Sequence, residues 1–165
     1  MRIAVSSDMD EPVARQLLDE LRRRGHSVLV HGALEDGGAA AAGTGAEPAA
    51  GTAERDGWAW SASAAARAVA DGTADQAVVC CWTGTGASIA ANKVAGVRAA
   101  LCGDAYTAEG ARKWNDANAL ALSLRTVSGP MLAEILDAWF GGRPSRDPED
   151  LRNVARLSAV EGGSS

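Results

Sequence analysis

Apolar positions along this chain switch repeatedly between the spacing of a buried strand and the spacing of an amphipathic helix. Arg2 to Ser7 carries the short apolar run Ile3-Ala4-Val5 and predicts a first strand. Asp10, Glu11 and Pro12 then form a helix start, after which Val13, Leu17, Leu18 and Leu21 recur at helical spacing until Gly25 stops them. Ser27 to His31 predicts a second strand. Helical character resumes near Trp60 and runs through an alanine-rich stretch to Asp71, followed by a strand at Ala77 to Cys81 and a helix opened by a glycine loop. A strand at Arg98 to Cys102, a helix around Thr107 to Lys113, a strand at Ala119 to Ser123 and a helix from about Gly129 to Phe140 complete the alternation. Repeated strand-helix units predict an α/β fold: a Rossmann-like, doubly wound, five-stranded parallel sheet with helices on both faces. Leu151, Val154, Ala155 and Leu157 lie at helical spacing in the tail from Pro148 to Val160, which predicts a terminal helix for dimer contact.

Composition narrows the class. A length of 165 residues with 47% hydrophobic content suits one domain, residues 1–165, with its own core. Residues 32–57 are rich in Ala, Gly, Thr and Glu and read as a flexible surface loop, and residues 161–165 as a frayed tail. A formal net charge of -5 argues against a nucleic-acid partner, which needs a basic face. No apolar run approaches the roughly 20 residues of a membrane-spanning helix, so no membrane partner is expected. Three cysteines, two of them adjacent, make no disulfide framework, and the N-terminus runs straight into a strand, which together predict a cytoplasmic protein.

The chemistry concentrates in Cys80-Cys81-Trp82-Thr83-Gly84-Thr85-Gly86-Ala87-Ser88-Ile89-Ala90-Ala91-Asn92-Lys93. Read from the residues alone, this is an apolar strand, a glycine-hinged loop and a helix start, an arrangement that sets a thiol beside backbone N–H groups able to meet an anion. A tight turn that binds nothing uses the same glycines, and a buried cysteine is commonly a small hydrophobe. In a doubly wound sheet, ligands lie beyond the carboxyl ends of the strands, which gathers Asp8, His31, Cys81 to Gly86 and Asp104 along one edge.

This string resembles the glycine loop of the family of ribose-5-phosphate isomerase B and the galactose-6-phosphate isomerase subunits. The resemblance continues through Val97 to Cys102, Asp104 to Ala108, Asn115 to Leu122 and Ile135 to Trp139, besides Met1 to Asp8. It implies an aldose–ketose isomerase that works through an enediolate on a sugar phosphate or related sugar, without metal or organic cofactor. It further implies a homodimer with shared active sites, or a tetramer. On the matching positions, Cys81 stands where the family has its catalytic base, and Asn115 with Thr83, Gly84 and Gly86 would donate hydrogen bonds to the developing oxyanion. Asp8 would hold sugar hydroxyls, and Arg125, Arg143 and Arg146 would grip phosphate.

Departures from the family pattern cluster around that same site. Met9 and Trp114 stand where the family has histidines, Trp82 where it has glycine, and Gly57-Trp58-Ala59-Trp60 where relatives carry an Asp-Tyr-Pro segment. The usual ring-opening acid is therefore missing; of His26 and His31, His31 lies nearer the predicted pocket and is a candidate substitute, the alternative being an ordinary surface histidine. These changes predict a specificity altered from ribose 5-phosphate. The alternative is a catalytically inactive sugar-phosphate-binding paralogue, or a subunit of a hetero-oligomeric isomerase.

Overall fold

The computed structural model describes residues 1–34 and 52–162. Five strands, β1 (Arg2–Ser7), β2 (Ser27–Gly32), β3 (Gln76–Cys81), β4 (Ala99–Leu101) and β5 (Ala119–Ser123), form one sheet in the order β2-β1-β3-β5-β4. Every neighbouring pair is parallel, with Ser6 opposite both His31 and Val79, and Cys81 opposite Ser123. Parallel pairing follows from the helical crossovers, and the strand order reverses between β1 and β3, which opens a crevice beyond their carboxyl ends.

Helices α1 (Pro12–Arg23), α2 (Thr52–Arg55), α3 (Trp58–Ala70), α4 (Thr85–Ala91), α5 (Ala105–Asn115), α6 (Gly129–Gly141) and α7 (Pro148–Gly162) complete the described chain. Their ends are set by local chemistry: Pro12 opens α1, Asp104 accepts from the Thr107 amide at 2.7 Å to cap α5, and Ser128 caps α6 through the Met131 amide. Because alternate residues of a strand face opposite ways, each strand serves two cores. On one face Ile3, Val5 and Leu120 pack with Leu17 and Leu21 of α1 and Leu132, Leu136 and Trp139 of α6. On the other, Ala4, Ala77, Ala119 and Ala121 pack with Ala62, Ala65 and Ala66 of α3 and Ala87 and Ala91 of α4. Trp139 is wholly enclosed and donates its indole N–H to Gln76 Oε1 at 2.8 Å, which ties α6 to the start of β3.

Most expected elements are present within a residue or two of their predicted bounds. Of the stretch expected as a surface loop, residues 35–51 lie outside the described residues, whereas Gly32 closes β2, Leu34 is buried and Thr52–Arg55 form the short α2. Within the stretch expected as a frayed tail, α7 continues through Glu161 and Gly162, and the Glu161 carboxylate accepts from the Gly96 amide at 3.0 Å. Residues 163–165 lie outside the described residues. Helix α7 has no buried residue, and Leu151, Leu157 and Val160 stand exposed along it.

Candidate active site

Cys81 is the last residue of β3, and the chain leaves the sheet there into the turn 82–84. Gly84 takes φ 75°, a left-handed conformation that disfavours any side chain. A β-carbon at Gly84 would also come within 2.5 Å of the Leu101 side chain and 2.9 Å of the Leu122 backbone, so glycine is demanded by space as well as by torsion. This tight turn folds α4 back over the end of β3 and aims the Ala87 amide at Cys81 Sγ, 3.4 Å away. Cys81 is only 4% exposed and otherwise surrounded by the alanine-rich core, so the sulfur has one N–H partner in an apolar setting.

The loop around it is fixed from the neighbouring strand. Ser123 Oγ donates to the Trp82 carbonyl at 3.0 Å and the Arg125 amide donates to the same carbonyl at 3.1 Å, so the end of β5 pins the residue after Cys81. The Thr83 and Thr85 hydroxyls share a hydrogen bond of 2.7 Å. Trp58, at the start of α3, lies against Gly86: a β-carbon there would stand 2.9 Å from the indole. Trp58 and Trp82 remain 45% and 46% exposed, so neither indole is a core anchor. The sequence reading singled out neither Ser123 nor the Ala87 amide; the signal for Ser123 is its place as the last residue of a strand beside the glycine loop.

Asp8 follows β1, on the other side of the crevice. Its Oδ1 is buried without a hydrogen-bond partner, and burial pushes its carboxyl above the usual range despite a backbone hydrogen bond. Met9 is 39% exposed, with its carbonyl accepting from Ser7 Oγ at 2.6 Å. His31 is not a surface residue in the ordinary sense: its Nε2 is buried without a partner, and burial lowers its pKa. Asp104 is occupied as the cap of α5.

The remaining expected residues are elsewhere. Helix α5 departs from the carboxyl end of β4 and runs back over about 16 Å to the start of β5, so Trp114 and Asn115 reach the amino edge of the sheet. The same holds for Arg143 and Arg146, which follow α6; the Ser145 amide donates to the Lys113 carbonyl at 2.8 Å. Within one chain Asn115 thus stands at the opposite edge from Thr83, Gly84 and Gly86, because crossover helices deliver their ends there. Asn115 lines a cleft of about 490 Å³ with Asn92, Arg98, Leu157 and Val160. Trp114 lies over Gly110, edge-on to Tyr106 with ring centroids 6.2 Å apart. Arg112 is largely covered: its guanidinium lies 5.5 Å from the Trp139 ring centre and donates to the Ala117 carbonyl. Burial lowers its pKa, with Asp116 opposing and the charges of Arg98 and Arg143 adding to the lowering, and Asp116 pairs with both Arg98 and Arg112. Asn92 has a structural role, since its amide group brackets Ala99 at 2.8 and 2.9 Å.

The other two thiols are buried and free. Burial pushes Cys80 up to about 12, with smaller contributions from the charges of Cys81 and Asp8, and Cys102 likewise to about 12.

Comparison with known proteins places the chain in a family. Residues 3–158 match the family described as Ribose/Galactose Isomerase. Ribose-5-phosphate isomerase B of Escherichia coli is 44% identical over 100 residues, 61% of this chain and 66% of that protein. D-erythrulose-4-phosphate isomerase of Pectobacterium atrosepticum is 44% identical over 75 residues, 46% of this chain and 49% of that protein. The matches thus span about half to two thirds of these relatives' length. The structure of Clostridium thermocellum ribose-5-phosphate isomerase B superposes with a TM-score of 0.82 at 31% identity, covering 100% of both chains. That of Trypanosoma brucei type B ribose 5-phosphate isomerase gives 0.79 at 30% identity over 96% of this chain and 97% of that one. Family match, fold and loop agree: the chain belongs to the Ribose/Galactose Isomerase family, whose relatives are sugar phosphate isomerases.

Proposed function

We propose that this chain is an aldose–ketose isomerase acting on a sugar phosphate, with Cys81 moving the proton between adjacent carbons and with a specificity altered from ribose 5-phosphate. The observation that carries the reading is Cys81 Sγ at the crevice between β1 and β3, held against the Ala87 amide by the glycine loop. In the proposed reaction the sulfur, as thiolate, removes a proton from the carbon beside the carbonyl, and the electron pair left behind forms an enediolate. Thr83 and the loop amide at Gly86 stabilise its oxyanion, the Gly84 amide being engaged by the Cys81 carbonyl at 3.1 Å, and the thiol returns the proton to the neighbouring carbon. One carbon is oxidised and its neighbour reduced, so no external oxidant is needed. Asp8 holds substrate hydroxyls, Met9 and Trp82 line the wall, and Arg125 approaches the phosphate from the end of β5.

Trp114, Asn115, Arg143 and Arg146 complete the site only from a second copy. The separation of the two half-sites to opposite edges of one sheet supports a homodimer with shared sites, and so does the uncovered apolar side of α7. Among the described residues no helix is long and apolar enough to cross a membrane. Cytoplasmic location stays part of this proposal.

The test is deuterium uptake from solvent beside the carbonyl across a panel of pentose, hexose and tetrose phosphates. Cys81→Ser is expected to lower uptake at least ~10³-fold, about 4 kcal/mol in the barrier, while leaving the fold intact. A Cys81→Ser chain mixed with an Asn115→Ala chain should recover about one quarter of wild-type activity, since half the reassorted dimers carry one intact site. No recovery would remove the shared site. A second reading, a binding subunit without catalysis, draws on the burial of Cys81 and on Met9 and Trp114; sugars that bind without label uptake would favour it.

A further inference from the structure

Opening a sugar ring places a proton on the ring oxygen as its bond to the anomeric carbon breaks, and removes a proton from the hydroxyl on that carbon. Met9 has only a thioether and Trp114 only an indole N–H, so neither trades protons there. His26 precedes β2 at the amino edge, its ring 4.4 Å from that of Phe140. His31 lies on the edge strand with β1 between it and β3, and its Nε2 is enclosed. At the carboxyl edge, Asp104 accepts from the Thr107 amide and hydroxyl at 2.7 and 3.0 Å, and Asp10 is paired with Arg15 at 2.6 Å. Those partners hold both carboxyls below the usual range, as bases rather than acids.

Asp8 is placed differently. Ser7 pairs with Cys80 in the parallel register, so one step further along both strands sets Asp8 abreast of Cys81, with about 5 Å between neighbouring strands. Its Oδ1 is the one carboxylate oxygen, among the described residues, that is enclosed without a hydrogen-bond donor. A negative charge on that oxygen goes unanswered, which favours the protonated carboxyl, and burial raises its pKa accordingly. The residue as a whole is only half-buried, so a ligand in the crevice can reach it.

We propose that the Asp8 carboxyl is the acid that opens the sugar ring in this chain, taking over from the positions held by Met9 and Trp114. This rests on the isomerase reading above and deepens it. Asp8 gives its proton to the ring oxygen while the C–O bond breaks and the carbonyl forms, and the resulting carboxylate takes up the proton of the anomeric hydroxyl. Asp8 ends neutral, as it began, and the carbonyl is delivered beside Cys81 on the neighbouring strand.

The experiment compares D-ribose 5-phosphate, whose ring must open, with D-erythrose 4-phosphate, whose phosphate blocks the ring-forming oxygen and leaves the carbonyl free. Conversion and deuterium uptake are followed by NMR for wild type, Asp8→Asn and Asp8→Glu. Asp8→Asn is expected to lose on the order of 100-fold more kcat/KM on ribose 5-phosphate than on the four-carbon sugar, and Asp8→Glu to recover part of that difference. Wild-type conversion of ribose 5-phosphate should keep rising in proportion to enzyme beyond the rate at which the free sugar opens by itself. Equal losses on both sugars in an Asp8→Asn chain of unchanged Tm would overturn the proposal and leave Asp8 as a holder of hydroxyls. Wild-type conversion that levels off at the spontaneous opening rate, or that is confined to the four-carbon sugar, would overturn it too. Absence of label in both sugars would instead remove the isomerase reading beneath it.

Discussion

The two faces of the sheet are built from different materials. One is filled by Leu17, Leu21, Leu132, Leu136 and Trp139, each burying a large side chain worth roughly 1.5–3 kcal/mol. The other is nearly all alanine, from Ala62, Ala65 and Ala66 of α3 to Ala87 and Ala91 of α4. Small side chains contribute little burial each, but they let α3 and α4 lie close to each other and to the strands, which brings Trp58 onto Gly86 and the Ala87 amide onto Cys81 Sγ. The large-residue face holds the fold, and the small-residue face holds the loop in register. Adjacent thiols record the contrast: Cys80 points into the large-residue core, and burial pushes it up to about 12, whereas Cys81 points into the alanine face and meets an N–H donor.

That division can be broken most severely at Trp139. Trp139→Ala removes the largest enclosed side chain and orphans Gln76, and should cost about 3–5 kcal/mol in denaturant unfolding. On the opposite face the sensitive change is enlargement. Ala65→Leu has no space between α3 and the strands and should cost about 1–3 kcal/mol, with a loss of isomerase activity larger than the stability change alone explains. If Ala65→Leu proves neutral in both, close approach of the helices is not what sets the loop.

The smallest expected effect is a pH dependence at His31. Its folded pKa is lowered, so in acid the unfolded chain binds a proton that the folded chain refuses, and stability falls as pH drops through the unfolded value of about 6.5. His31→Gln should flatten the decline in Tm between pH 7 and pH 5. Asp8, whose pKa burial raises, works the other way: the folded chain takes up its proton first on acidification, so its unfavourable burial is relieved below its folded pKa. An unchanged Tm profile in His31→Gln would mean that the imidazole is as solvated in the fold as in the unfolded chain.

Strand and helix order was legible because each element is announced locally: the run Ala77 to Cys81 between polar neighbours, Pro12 before Val13 and Leu17, Gly25 after Arg24. The glycine loop was legible for the same reason, since Gly84 marks a left-handed residue and Cys81 ends a strand. Exposure was harder to read. His31 and Arg112 are of residue types usually found at the surface, yet the Nε2 of one is buried and Trp139 lies against the other. No local pattern announces a neighbour that arrives from a distant part of the chain.

What the sequence determined by itself is the alternating α/β order, the family, and the loop that sets Cys81 beside backbone amides, because each of these is carried by contiguous residues. Only the tertiary structure decided that Trp114, Asn115 and Arg143 stand at the edge opposite the one where Asp8 and Cys81 gather. The physical reason is geometric: residues close to a strand's carboxyl end and residues at the far end of the following helix are separated by the length of that helix, and only folding converts a distance along the chain into an edge of the sheet.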